Sequence, residues 1–169
     1  MPRMKSILLM LCVAATACAG GGDDWTKKPL KTVSGTAGGV PFSIELPDGM
    51  REKVDGKDVR YDFHIDDRTK TPEITVSAGG YAKTLDDYMK TEPGVDNWLR
   101  KETLPDGYVV SYENSSYKGK EDYLVYVYRT FGDKVMTCHA RVTPWTKGAA
   151  VKDKVPLIEK MCLSMKLAK

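Results

Sequence analysis

The side chains with most chemistry to offer in this 169-residue chain are two histidines, four cysteines and nine tyrosines. His64 alternates with Asp62 and Asp66 in VRYDFHID, so one nitrogen and two carboxylates come to one strand face and could ligate a metal ion. Alternating charge along a solvated strand explains the same three residues. His139 shares a face with Thr137 and Arg141, has no acid in register, and reads as part of a polar sheet surface. A nucleophilic pair of Cys138 and His139 is opposed by geometry, because consecutive strand residues point to opposite faces. No Gly-x-Ser-x-Gly elbow is present, and GGGDD and TAGG lack the strand-to-helix setting of a phosphate loop. Asp66-Asp67 and Asp86-Asp87 fit solvated turns or a helix cap. The expectation is a protein that is not an enzyme, with no catalytic residues, cofactor or metal.

Cys18 and its surroundings concern address. Arg3 and Lys5 precede an apolar or small run from Ser6 to Ala17, as in an export signal. The run is about a dozen residues, short of the roughly 20 a spanning helix needs. Two processing routes remain open. Ala17-Cys18-Ala19 suits ordinary signal peptidase, which would release a secreted soluble protein. Ala15-Thr16-Ala17-Cys18 resembles the bacterial lipobox, although leucine is usual where Ala15 stands. That resemblance implies removal of a signal peptide at 1–17 and acylation of Cys18 with membrane-anchoring chains such as palmitate. Two or more acyl chains anchor stably where one is marginal. Residues 18–39, rich in Gly, Ser, Thr and charge, then read as a lipidated cysteine with a flexible tether, leaving a domain at 40–169.

Cys12 leaves with the leader and Cys18 is taken by lipid on the lipobox reading, so Cys138 and Cys162 remain. In KVMTCHARV, Met136, Cys138, Ala140 and Val142 alternate onto one face; in VPLIEKMCLSMKL, Val155, Ile158, Cys162 and Met165 form one helical stripe. Both thiols point into an apolar interface, and outside the cytoplasm such a pair is a disulfide candidate. Two buried free thiols are the alternative. Charge is nearly balanced at 26 Lys and Arg against 23 Asp and Glu, and 24 against 23 once Arg3 and Lys5 are removed. With no long basic run, nucleic acid is not an expected partner.

The elements that must position these groups follow from periodicity. PFSIELPDG, VRYDFHID and EITVSAGG each alternate as strands. KTLDDYMKTEPG changes to a helical period, with Thr84 and Asp87 spaced as a capping box. VDNWLRKETL places Val95, Trp98 and Leu99 on a second helical stripe. Three further strands run from Pro105 to Val142, with a turn at Lys118-Gly119-Lys120, before a closing helix near Val151. YLVYVYRTF is apolar or aromatic on both faces, which places it centrally in a covered sheet. The expected fold class is α+β: an antiparallel six-stranded sheet covered by helices on both faces, ordered βββ-α-βββ-α.

That order, opening on FSIELPDGM with TLDDYM as the middle helix, resembles the PsbP-like α/β/α sandwich, including bacterial lipoproteins of the DcrB kind. The resemblance implies a non-catalytic binding or scaffolding role in the cell envelope, facing the periplasm or in the outer membrane. An immunity or inhibitor protein against an envelope toxin or enzyme is the alternative, and a minor hydrolase a third. Six tyrosines, Tyr108, Tyr112, Tyr117, Tyr123, Tyr126 and Tyr128, fall in one hairpin. Cross-strand pairing accounts for them, but Tyr126 and Tyr128, with Trp145 in the loop TPWTKGAA, are also candidates to contact an envelope protein partner.

Overall fold

The structure, a computed structural model, describes residues 24–63, 72–114, 122–143 and 151–168. The chain enters through a 3-10 turn at Trp25–Lys27, capped by the Asp24 carboxylate. Trp25 is 3% exposed and belongs to the main core. Strands β1 (Leu30–Ala37) and β2 (Val40–Pro47) follow as a hairpin. The composition of 18–39 suggests a tether, but from Asp24 onward it is part of the fold. Gly38 and Gly39 both take positive φ, 53° and 80°, which a two-residue turn between twisted strands demands. The glycines mark a hairpin, and the folded unit begins before residue 40.

Next come β3 (Arg51–Asp55), β4 (Asp58–Asp62), β5 (Glu73–Ala78), α1 (Leu85–Thr91), β6 (Trp98–Leu104), β7 (Gly107–Glu113), β8 (Tyr123–Phe131), β9 (Lys134–Val142), α2 (Val155–Leu163) and β10 (Lys166–Leu167). The strands form two antiparallel sheets, β1-β2-β10 and β3-β4-β5-β9-β8-β7-β6. This corrects the expectation of one six-stranded sheet sandwiched by helices: among the described residues, strands dominate and the α-helices number two. The inner face of the large sheet is covered by the small sheet together with α2, so the PsbP-like layout does not describe this chain.

The second expected helix is strand β6. Val95, Trp98 and Leu99 match a helical stripe, yet the segment pairs with β7 from Trp98↔Tyr112 to Leu104↔Gly107, with a bulge between Trp98 and Arg100. Pro105-Asp106 closes the hairpin tightly, and ladder pairing prevails over a three-residue coincidence of spacing. The middle helix does form where the spacing puts it. Thr84 Oγ accepts from the Asp87 amide at 3.1 Å and donates to the Asp87 carboxylate at 2.8 Å.

The main core lies between the sheets. Val59, Tyr61, Ile74, Val76, Val109, Val125, Val127, Met136, Cys138 and Ala140 line the inner face of the large sheet, and Phe42, Ile44 and Leu46 of β2 meet them. From α2 come Val155, Ile158, Met161 and Cys162. Cys138 and Cys162 form the disulfide, with Cα atoms 5.4 Å apart. A second latch is polar: buried Glu159 accepts from Ser111 Oγ at 2.6 Å and from Arg100 at 2.8 Å, tying α2 to β7 and β6.

Two outcomes test this architecture. Trp25→Ala is expected to destabilise the protein by about 3 kcal/mol, and a chain beginning at Val40 is expected to lose cooperative unfolding, because β2 would keep only the two-residue β10 as a sheet partner and the core would lose Trp25 and Ala37. Cys138→Ala and Cys162→Ala are expected to cost similar amounts, about 3 kcal/mol each for a loop of this length, with the double substitution scarcely worse. Denaturant unfolding measures both.

Candidate functional site

The outer face of the large sheet divides into halves. On β7 and β8, Tyr108, Val110, Tyr112, Tyr126 and Tyr128 are buried, and α1 lays Tyr88 across them. Tyr108 stacks on its cross-strand partner Tyr128 at 5.2 Å between centroids, and Tyr88 on Tyr126 at 4.7 Å. On β5 and β9 the same face carries Thr75, Ser77, Thr137 and His139, which α1 does not reach.

Where the halves meet lies a groove of about 710 Å³. Tyr81, Tyr88, Tyr112 and Tyr126 line one side, and Thr75, Ser77, Thr137 and His139 the other; Asp58 and Glu92 add carboxylates. The volume is in the range of small-molecule sites. Tyr81 is 63% exposed, with its ring 5.7 Å from Tyr88 and 5.8 Å from Tyr126. Its placement depends on the two residues before it. Gly79 takes φ 95°, and a Cβ on Gly80 would meet the Tyr128 ring at 2.8 Å. Only a residue without a side chain passes so close to that ring.

The phenols serve as hydrogen-bonding groups and ring faces. Tyr88 and Tyr112 hydroxyls lie 3.3 Å apart, and Tyr108 donates to the Ala82 carbonyl at 3.0 Å. Burial pushes Tyr126 up to about 12, with Tyr81 adding to it. Burial raises Tyr88 and Tyr108 well beyond the ordinary phenol value and raises Tyr112 as well, there with the Glu92 carboxylate contributing. All four stay protonated at neutral pH. His139 shows an exposed edge in the groove, yet the surrounding walls exclude enough water to hold its pKa below the ordinary value. The Glu73 carboxylate opposes that shift and Arg141 reinforces it. The acid absent from the histidine's own strand is supplied by β5, where Glu73 pairs with Arg141.

Several expected residues do come together and others do not. Tyr126 lines the groove, while Tyr128 is buried under Gly80 and lines a separate, smaller pocket of about 310 Å³ with Lys83, Asp106 and Thr130. Cys138 points to the core and His139 to the groove, as strand alternation requires. Trp145, Cys18, His64 and Asp66 lie outside the described residues. Among the described residues there is no group of three or more His, Cys, Asp or Glu placed to hold a metal ion, and no helix long and apolar enough to cross a membrane. Tyr81, Tyr88 and Glu92 escape strand-by-strand reading. The Gly-Gly before Tyr81 is the signal that could have found the first.

No protein-family model and no curated protein matches the chain. Among solved structures, a protein from Bacteroides thetaiotaomicron VPI-5482, determined by crystallography at 1.50 Å resolution, is similar over 79% of this chain, with 15% identity and a TM-score of 0.45. The chain spans 47%, about half, of that protein's length.

His139 gives a pH prediction. Its folded pKa lies below its unfolded value near 6.5, so the unfolded state binds more protons between those two values. Its contribution to stability is complete above about pH 6.5 and is lost as pH falls toward the folded pKa. NMR titration of the imidazole is expected to show a midpoint below 6.5, moving lower still in Glu73→Gln.

Proposed function

We propose that this chain is a bacterial envelope lipoprotein, anchored through acylated Cys18, whose domain binds a ligand reversibly in the groove beside Tyr81 and performs no catalysis. The observation that carries the binding role is the groove itself: an exposed tyrosine over a wall of buried tyrosines, facing a row of hydroxyls. Such a surface offers apolar ring area and neutral hydrogen bonds together, the mixture expected where a ligand must be held and released.

Address rests on other features. The basic and apolar leader ending in Ala-Thr-Ala-Cys supports export and acylation, and the Cys138–Cys162 bond suits an oxidising compartment. Asp24, which caps the first turn, comes six residues after Cys18 in the sequence, a span of at most about 22 Å when extended, so an anchored domain would sit close to the bilayer.

An inhibitor of an envelope enzyme is the second reading, favoured by the 63% exposure of Tyr81, a side chain suited to anchor a protein contact. The two readings part on where Tyr81 acts: a groove ligand needs Tyr126 as well, a protein partner needs the rim.

Mass measurement of membrane-extracted protein is expected to show a first residue of Cys18 plus acyl chains, and Cys18→Ser to release the product from membranes or leave it unprocessed. A mature protein beginning at Gly20 without acyl mass contradicts the anchor. Tyr81→Ala is expected to abolish ligand capture while changing stability by under about 0.5 kcal/mol, as for other exposed positions.

A further inference from the structure

We infer that the groove recognises an organic cation, an alkylammonium or quaternary ammonium group carried on a polar body; this rests on the groove being a binding site. Among the described residues, its lining holds two carboxylates, Asp58 and Glu92, and neither lysine nor arginine. Asp58 comes from β4 and Glu92 from the end of α1, so negative charge enters from two separate elements.

The guanidiniums elsewhere on this face are already engaged. Arg60 lies 3.2 Å from Asp55 and 3.6 Å from Glu73, and Arg141 lies 3.0 Å from buried Asp122. Desolvation lowers the His139 pKa from its ordinary value, with the Glu73 carboxylate opposing the shift, which disfavours a positive charge on that ring. Tyr81, 63% exposed at the groove, adds an electron-rich ring face to the two carboxylates, with the edges of Tyr88, Tyr112 and Tyr126 behind it. A cation placed within about 6 Å of such a ring is attracted by its quadrupole, more strongly where water is excluded.

Competing ligand classes fit less well. An anion would meet Asp58 and Glu92 with no counter-charge on the described lining. An apolar ligand would strip water from two carboxylates and from Thr75, Ser77, Thr137 and His139 without replacing its hydrogen bonds. A neutral sugar would use the hydroxyls and a ring face but leave the charge unmatched. The groove, at about 710 Å³, is several times larger than a trimethylammonium group, so the polar wall is left for the rest of the ligand.

The test uses the full chain in a polyoxyethylene detergent, with tyrosine ring resonances followed by NMR. The probes are choline and 3,3-dimethylbutan-1-ol, the uncharged isostere with carbon in place of nitrogen. Choline is expected to shift Tyr81 and Tyr126 saturably, and the alcohol to bind roughly tenfold more weakly or worse. Glu92→Gln is expected to weaken choline roughly fivefold with the circular dichroism spectrum unchanged, whereas Glu45→Gln, outside the groove, is expected to leave it unaffected. Equal binding of the two probes overturns the cation and leaves the groove as a binding site. A response to a neutral oligosaccharide without one to choline does the same. Silence toward all three probes overturns the cation and counts against the binding role too.

Discussion

Strand β8 has to be dry on both sides. Tyr123, Val125 and Val127 project to one face and Tyr126 and Tyr128 to the other, and all five are buried. A strand of this kind cannot lie at an edge or on a one-sided sheet; it needs neighbours left and right and a cover above and below. The chain supplies β9 and β7 as neighbours, α2 and the small sheet as one cover, and α1 as the other. The disulfide and the Glu159 latch both serve the first cover. One joins α2 to β9 and the other joins it to β7 and β6, fixing the helix across the middle of the sheet.

The second cover is the weaker one, and the groove follows from that. Helix α1 is seven residues long, too short to roof a sheet of seven strands. It covers the β7 and β8 side and leaves β5 and β9 open. Residues under so partial a roof must tolerate water at one end, which explains tyrosine in place of phenylalanine: each ring fills the layer while its hydroxyl finds a partner, as Tyr88 does with Tyr112 and Tyr108 with Ala82. Where the roof ends, threonine, serine and histidine take over on the same face. The boundary between aromatic and hydroxyl surface is therefore a consequence of helix length.

What could be read from the residues alone was what depends on near neighbours. Alternation in KVMTCHARV and the stripe in VPLIEKMCLSMKL put Cys138 and Cys162 into one interface, and they are bonded. Thr84 and Asp87 fixed the start of α1 in the same way. What could not be read depends on partners far along the chain. Leu30–Ala37 is polar enough to pass for linker because β1 is an edge strand with most of one side in water; its place is decided by β2. Trp98–Leu104 looks helical until β7 is laid beside it. The groove needed Tyr81 and Glu92, which flank α1, to be brought over a sheet face built from β5, β9, β8 and β7, and no local period encodes that meeting.

The two faces of the large sheet also separate stability from recognition. Trp25 packs into the inner core with β2 and α2, while the tyrosine groove belongs to the outer cluster. The disulfide and the Glu159 latch both bear on the inner side, where α2 crosses the sheet. The elements that hold the two sheets together are therefore not the ones that line the groove, and the outer face can carry polar and exposed side chains that a core would not tolerate.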